Sequence, residues 1–360
     1  MRKLLSRHSI STIFCVILST FLLSSPSFAA EKTKFKIAWS IYVGWMPWDY
    51  ANQHGILKKW ADKYGIEIQL TQINDYIESI NQYTAGQFDA CVMTNMDALT
   101  IPAAGGVDST ALIVGDFSNG NDGVVLKGKN KTLKDIKGQK INLVELSVSH
   151  YLLARGLGTI GLKERDISVV NTSDADIVSA FATQDVTSVV AWNPQLSEIK
   201  AAKDAALVFD SSKIPGEIMD LMVTKTDVLK AHPELGKALV GAWYEAISVM
   251  AMNDDSGKKS REFMAKASGT DLAGFESQLK TTYMYYKPAE SVTFSKSQDI
   301  VKTMDQVRHF SFDHGLLGQG AKSVDAVGVA FPSGETLGDK NNIKLRFNAE
   351  FMQMAADEKL

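Results

Sequence analysis

Residues 34–60 read KFKIAWSIYVGWMPWDYANQHGILKKW, and this stretch decides the fold. It opens as a strand, breaks at Gly44, turns through Trp45, Met46, Pro47 and Trp48, and continues as a helix. Three of the chain's six tryptophans and two tyrosines fall between Trp39 and Tyr50. Merely joining two elements does not call for so many large rings. Lining a small-molecule site at the C-terminal edge of a sheet does, since pockets favour aromatic walls and α/β proteins place them at strand ends.

The segments that follow continue the alternation. Ile66–Thr71 alternates as a strand, Ile77–Ala85 is helical, and a third strand through Cys91 ends at Asn95, Met96 and Asp97. A helical run then leads to Gly105-Gly106, and Ser109–Gly115 is a fourth strand. This βαβαβαβ order with short connections predicts a parallel sheet with helices on its faces. Residues 116–123, DFSNGNDG, are dense in turn formers and mark a first crossing into a second α/β pattern. Gly216–Thr224 reads as the return, and from Thr226 the pattern is mainly helical, with a late hairpin turning at Pro332 and Gly334. The predicted lobes are 30–118 plus 219–360, and 119–218 inserted between them. Two crossing strands would form the hinge of a ligand cleft.

Outward in the other direction, residues 1–29 read as a signal peptide. Arg2, Lys3 and Arg7 precede the apolar run Ile13–Leu23, too short to span a bilayer, and Ser27-Phe28-Ala29 offers small residues for cleavage. The expectation is a soluble, exported, periplasmic monomer. The remaining chain, about 330 residues, is too long for one ordinary core and suggests two domains. Cleavage removes those three positive charges and no negative one, taking the formal net charge from −3 to about −6. That argues against a nucleic-acid partner. Cys91 would be the only mature cysteine, a buried thiol in an apolar strand. No Cys/His spacing suits zinc, and no cofactor is expected.

The ordered pieces Gly44-Trp45-Met46-Pro47, Gly55-Ile56-Leu57, Ala85–Ala90, Leu133–Gly138, Ser147–Leu153, Ala191-Trp192-Asn193-Pro194 and His232–Leu235 resemble the periplasmic substrate-binding proteins of nitrate, sulfonate, taurine and thiamine-precursor ABC importers. The resemblance implies a two-lobed type II periplasmic binding protein, each lobe a sheet with flanking helices, that hands a small solute to an inner-membrane permease. AWSIYVGWMPW, TNMDALTIPAAGGVDSTALIVGDFSNGNDG and GVAFPSGETLGDKNNIKLRF are similar to the binding proteins encoded beside urea carboxylase, which implies urea or guanidinium as ligand.

The residues address the ligand independently. The predicted loop tips carry Trp45, Asp97, Glu145, Ser147, Ser149, Trp192, Asn193 and Asp220 as candidate ligand contacts, with few Lys or Arg among their neighbours. Carboxylates this close would repel nitrate or a sulfonate and attract a flat cation. Guanidinium asks for carboxylate or carbonyl acceptors at its edge and an aromatic plate on its face. Urea would need donors and acceptors with fewer charges. Asp116, Asp122 and Asp220 also read as stabilisers of the hinge turns, and Asp97 as a helix cap. An enzyme is the competing class. The chain has no G-x-S-x-G elbow, no H-E-x-x-H, and none of the cysteine-rich iron motif of the pyrimidine-precursor synthase branch. A periplasmic sensor lobe is the third reading.

Overall fold

The opening stretch folds as β1 (Lys34–Trp39), the aromatic turn, and the helix Met46–Gln53, whose Pro47 sits in the first turn where its missing N–H costs nothing. The computed structural model describes residues 32–318 and 320–360, so the predicted signal peptide lies outside the described residues. Around β1 gather β2 (Glu67–Gln72), β3 (Ala90–Thr94) and β4 (Ser109–Ser118). The chain then builds a second sheet from β5 (Asp122–Lys127), β6 (Lys140–Leu143), β7 (Ser168–Asn171), β8 (Ser188–Trp192) and β9 (Ala205–Asp210). It returns through β10 (Met219–Lys225) and finishes the first sheet with β11 (Thr282–Met284), β12 (Gly328–Ala330), β13 (Thr336–Leu337) and β14 (Ile343–Phe347).

The first sheet runs β13-β12-β14-β4-β10-β3-β1-β2, with β11 beside β4; the second runs β7-β6-β8-β5-β9. β1 is parallel to β2 and β3, as expected, but β10 lies between β3 and β4 and runs antiparallel to both. The predicted parallel sheet is therefore mixed. The reason is the return path: a chain coming back from the second sheet enters the first in the opposite direction. That insertion sets Asp220 opposite Thr94 on β3 and Asp116 on β4, with a bulge between Asp220 and Leu221. Bulges re-aim side chains beside functional sites.

Trp48 stacks on Trp243 at 5.2 Å and fixes the first helix to the long helix Pro233–Met250. The helical pattern from Val228 is broken at His232, because a proline at 233 disfavours helical geometry in the residue before it. Cys91 is fully buried in β3, and burial pushes its thiol up to about 12. No helix among the described residues is long and apolar enough to cross a membrane.

Candidate functional site

Strand ends of both sheets converge on a small cavity of ≈ 20 Å³. The first lobe supplies Tyr42 and Trp45 after β1, Tyr76 at the start of the helix Tyr76–Thr84, and Asp220 on β10. The second supplies Asp122 from β5 and Trp192 from β8. One water needs about 10–15 Å³, so the space suits a solute of very few heavy atoms. A wider, solvent-open groove of ≈ 860 Å³ lined by Phe117, Tyr283 and Phe294 shares none of these residues. We take the small cavity as the site because both lobes close on it.

Its aromatic wall is braced. The Tyr76 ring lies 5.6 Å from Trp45 and 5.7 Å, edge-on, from Trp192, so one tyrosine touches a tryptophan of each lobe. Tyr76 is held by its hydroxyl, which donates to Asp97 Oδ2 (2.7 Å) and accepts from the Thr94 N–H (2.9 Å). The Thr94 hydroxyl donates to the same Asp97 oxygen at 2.8 Å. Gly44 makes the turn possible: a Cβ there would stand 2.6 Å from the Asp116 carboxylate and 2.5 Å from the Tyr42 ring.

The polar wall is acidic. Asp122 and Asp220 line the cavity, Asp116 stands against Asp220 outside the wall, and all three are buried. Asp116 Oδ1 accepts from the Tyr42 hydroxyl (3.2 Å), while Oδ2 meets no donor. Its neighbour is the Asp220 carboxyl, and two carboxyls in contact need a proton or a cation between them. Asp122 accepts from the Ser118 hydroxyl at 2.5 Å. Burial pushes Asp116 and Asp122 up to about 7 and Asp97 to about 6. Burial and then the charge of Asp116 raise Asp220 well above the carboxylate range. Among the described residues, neither Lys nor Arg lines the cavity.

Of the residues singled out in the sequence, Trp45, Trp192 and Asp220 meet at the cavity. Asp97 stands one layer back, behind Tyr76. Ser147 caps the helix Val148–Thr159, accepting from the Ser149 N–H at 3.2 Å, and Ser149 is buried beside it with an unpartnered hydroxyl. The Asn193 amide donates to the Thr281 hydroxyl (3.3 Å), a tie between lobes rather than part of the wall. Glu145 is exposed, and the structure does not bring it to the cavity. Leu146, at φ +63, turns the chain just after it. Ser40, Tyr42, Tyr76, Thr94 and Asp122 were not among the candidates yet line the site. Their common signal is position: Ser40 and Tyr42 follow β1, Thr94 ends β3, Asp122 starts β5 and Tyr76 starts a helix.

A two-lobed α/β protein with a small cavity where its two sheets' strand ends meet has the periplasmic binding protein fold. Residues 50–256 match the family described as NMT1/THI5 like, and the chain belongs to it. A putative binding protein of Brucella abortus (strain 2308) is 25% identical over 222 residues, covering 61% of this chain and 67% of the relative. The taurine-binding periplasmic protein of Escherichia coli (strain K12) is 23% identical over 171 residues, 47% of this chain and 53% of that protein. Among solved structures, the alkanesulfonate-binding protein SsuA from Xanthomonas axonopodis pv. citri bound to MOPS aligns with TM-score 0.65 and 19% identity, covering 80% of this chain and 96% of that one. The periplasmic nitrate-binding protein NrtA from Synechocystis PCC 6803 aligns with TM-score 0.56 and 12% identity, covering 92% and 99%.

Proposed function

We propose that this chain is the periplasmic solute-binding component of an ABC importer, not an enzyme, and that its solute is guanidinium. The observation that carries the ligand is a pair of buried carboxyls, Asp122 and Asp220, in the wall of a cavity with no lysine or arginine, backed by the buried Asp116 carboxyl against Asp220. A buried carboxylate is costly unless it is paired. The relatives named for taurine, sulfonates or nitrate take anions, which these carboxyls would repel. A planar cation placed here would meet Asp122 and Asp220 with edge N–H groups. It would lie against the Trp45, Tyr76 and Trp192 rings, as cation–π contact favours. Handover to an inner-membrane permease follows the family, and the protein acts as a monomer.

Urea is the second reading. With carboxyls held near neutrality, a protonated Asp could donate to the urea oxygen while another accepts from its amides. Isothermal titration of the mature protein at pH 8 against guanidinium, urea, taurine and nitrate separates these readings. Guanidinium is expected to bind most tightly. Stronger binding of taurine or nitrate, with no guanidinium heat, overturns the cation assignment.

A further inference from the structure

A second cluster of titratable side chains joins the lobes away from the cavity. Glu164 lies on a short turn, Glu164–Asp166, that follows the helix Val148–Thr159 of the second lobe. His314 ends the helix Gln298–Asp313 of the first lobe. Glu164 Oε1 is 2.6 Å from His314 Nε2, and Oε2 is 3.4 Å from His150 Nε2. The rings close around Phe310, which stacks on His314 at 4.0 Å and meets His150 edge-on at 5.9 Å.

The hydrogen bonds fix where the protons are. His314 Nδ1 is 2.7 Å from the Phe310 carbonyl, and its Nε2 faces a carboxylate. Both partners only accept, so making both bonds requires both nitrogens to carry hydrogen, which is the imidazolium. His150 is different: its Nδ1 accepts the Leu146 N–H at 3.2 Å, leaving the hydrogen on Nε2, toward Glu164. A histidine bound to a metal through Nε2 would instead donate from Nδ1 to an acceptor. His314 meets that pattern and His150 does not, so the trio, whose ligand atoms lie within 4.8 Å of one another, lacks one of the two oriented imidazoles a metal centre would use.

We propose that Glu164 and protonated His314, braced by His150, form a latch that holds the two lobes together and releases them as pH rises. The latch acts whatever the solute is. The charged groups around it are Lys163, Arg165 and Asp166 on the Glu164 turn and Asp313 beside His314. One turn back, His309 pairs with Asp305 at 3.9 Å. Burial pushes the Glu164 carboxyl up, but the hydrogen bond from His314 and the nearby His150 ring more than reverse this and hold it at about 2. The hydrogen bond to Glu164 raises His314, outweighing its partial burial. The sign follows. A histidine whose pKa is raised in the joined state stabilises that state fully below its ordinary value, about 6.5, and loses the contribution as pH rises through the raised value. The Glu164 contribution is complete above its ordinary value, about 4.5, and is lost as pH falls through about 2.

The test uses the full mature chain without ligand, so its outcome is independent of guanidinium binding. Imidazole titrations by NMR should place His314 above the ordinary histidine range in the wild type, and about a unit or more lower in Glu164→Gln. Small-angle scattering should give a smaller radius of gyration at pH 6 than at pH 9 for the wild type. Glu164→Gln and His314→Gln should show the larger value at both pH values. An ordinary His314 titration, or a radius that ignores both pH and the substitutions, overturns the latch. Recovery of the compact form at pH 9 on adding Zn²⁺ also overturns it, because the trio would then be a metal centre.

Discussion

Glu217 and Asp220 stand three residues apart on the returning segment, and the protein treats their charges in opposite ways. Glu217 receives Arg155 through Nε (2.7 Å) and Nη2 (2.8 Å), with the Tyr151 hydroxyl at 2.6 Å. Asp220 faces another carboxyl, that of Asp116, with Asp122 adding its charge nearby. The chain therefore supplies a cation where a carboxylate only holds the crossing in place, and withholds one where the cavity opens. On the proposed reading, the difference separates acids that would meet the ligand from acids that hold the hinge.

Replacing the unpaired acid should have the largest effect. Asp220→Asn is expected to weaken guanidinium by about 1.5–3 kcal/mol, roughly 10- to 150-fold in calorimetric Kd. The same change removes a crowded carboxyl and should raise the ligand-free Tm by about 2 °C. A variant that lost both affinity and stability would mean that Asp220 is a hinge residue like Glu217, and the contrast would collapse.

Acidity sharpens the comparison next. A cation must displace the proton that Asp122 holds up to about 7 and the one that burial and Asp116 help Asp220 to keep. Affinity should rise about tenfold per pH unit for each proton displaced, from pH 5 upward. The ligand-free fold behaves oppositely: a carboxyl whose pKa is raised by folding stabilises the fold below its unfolded value, about 4, and loses that contribution as pH rises through about 7. Affinity flat across this range would remove the acids from ligand binding. Trp192→Ala comes third, with a loss of about 0.5–2 kcal/mol for guanidinium if its ring contacts the cation; undiminished binding would leave the wall to Trp45 and Tyr76. Glu217→Gln should do least: an unchanged Kd and a stability loss of at most about 1 kcal/mol by denaturant titration, because Arg155 is over a third exposed.

The fold was legible because turn-dense segments such as 116–123 punctuate clear strand and helix patterns. The antiparallel insertion of β10 was not, since periodicity carries no strand direction. At the site, Trp45 and Trp192 announced themselves as large rings at strand ends. Asp116 and Asp122 were visible but read as hinge residues, because only the register of β4 with β10 shows the first acid facing another acid. Glu145 misled for the converse reason: a charge ending a strand looks the same in sequence whether its loop turns inward or, as here, outward.

The placement of Tyr76 between Trp45 and Trp192 has an optical consequence. Two of the six indoles, one from each lobe, rest on the same phenol ring, so separating the lobes uncouples them and alters their emission. The stacked Trp48 and Trp243 lie within the first lobe and should emit steadily throughout, an internal reference. The unlabelled protein thus carries its own fluorescent report of whether its cleft is open or shut.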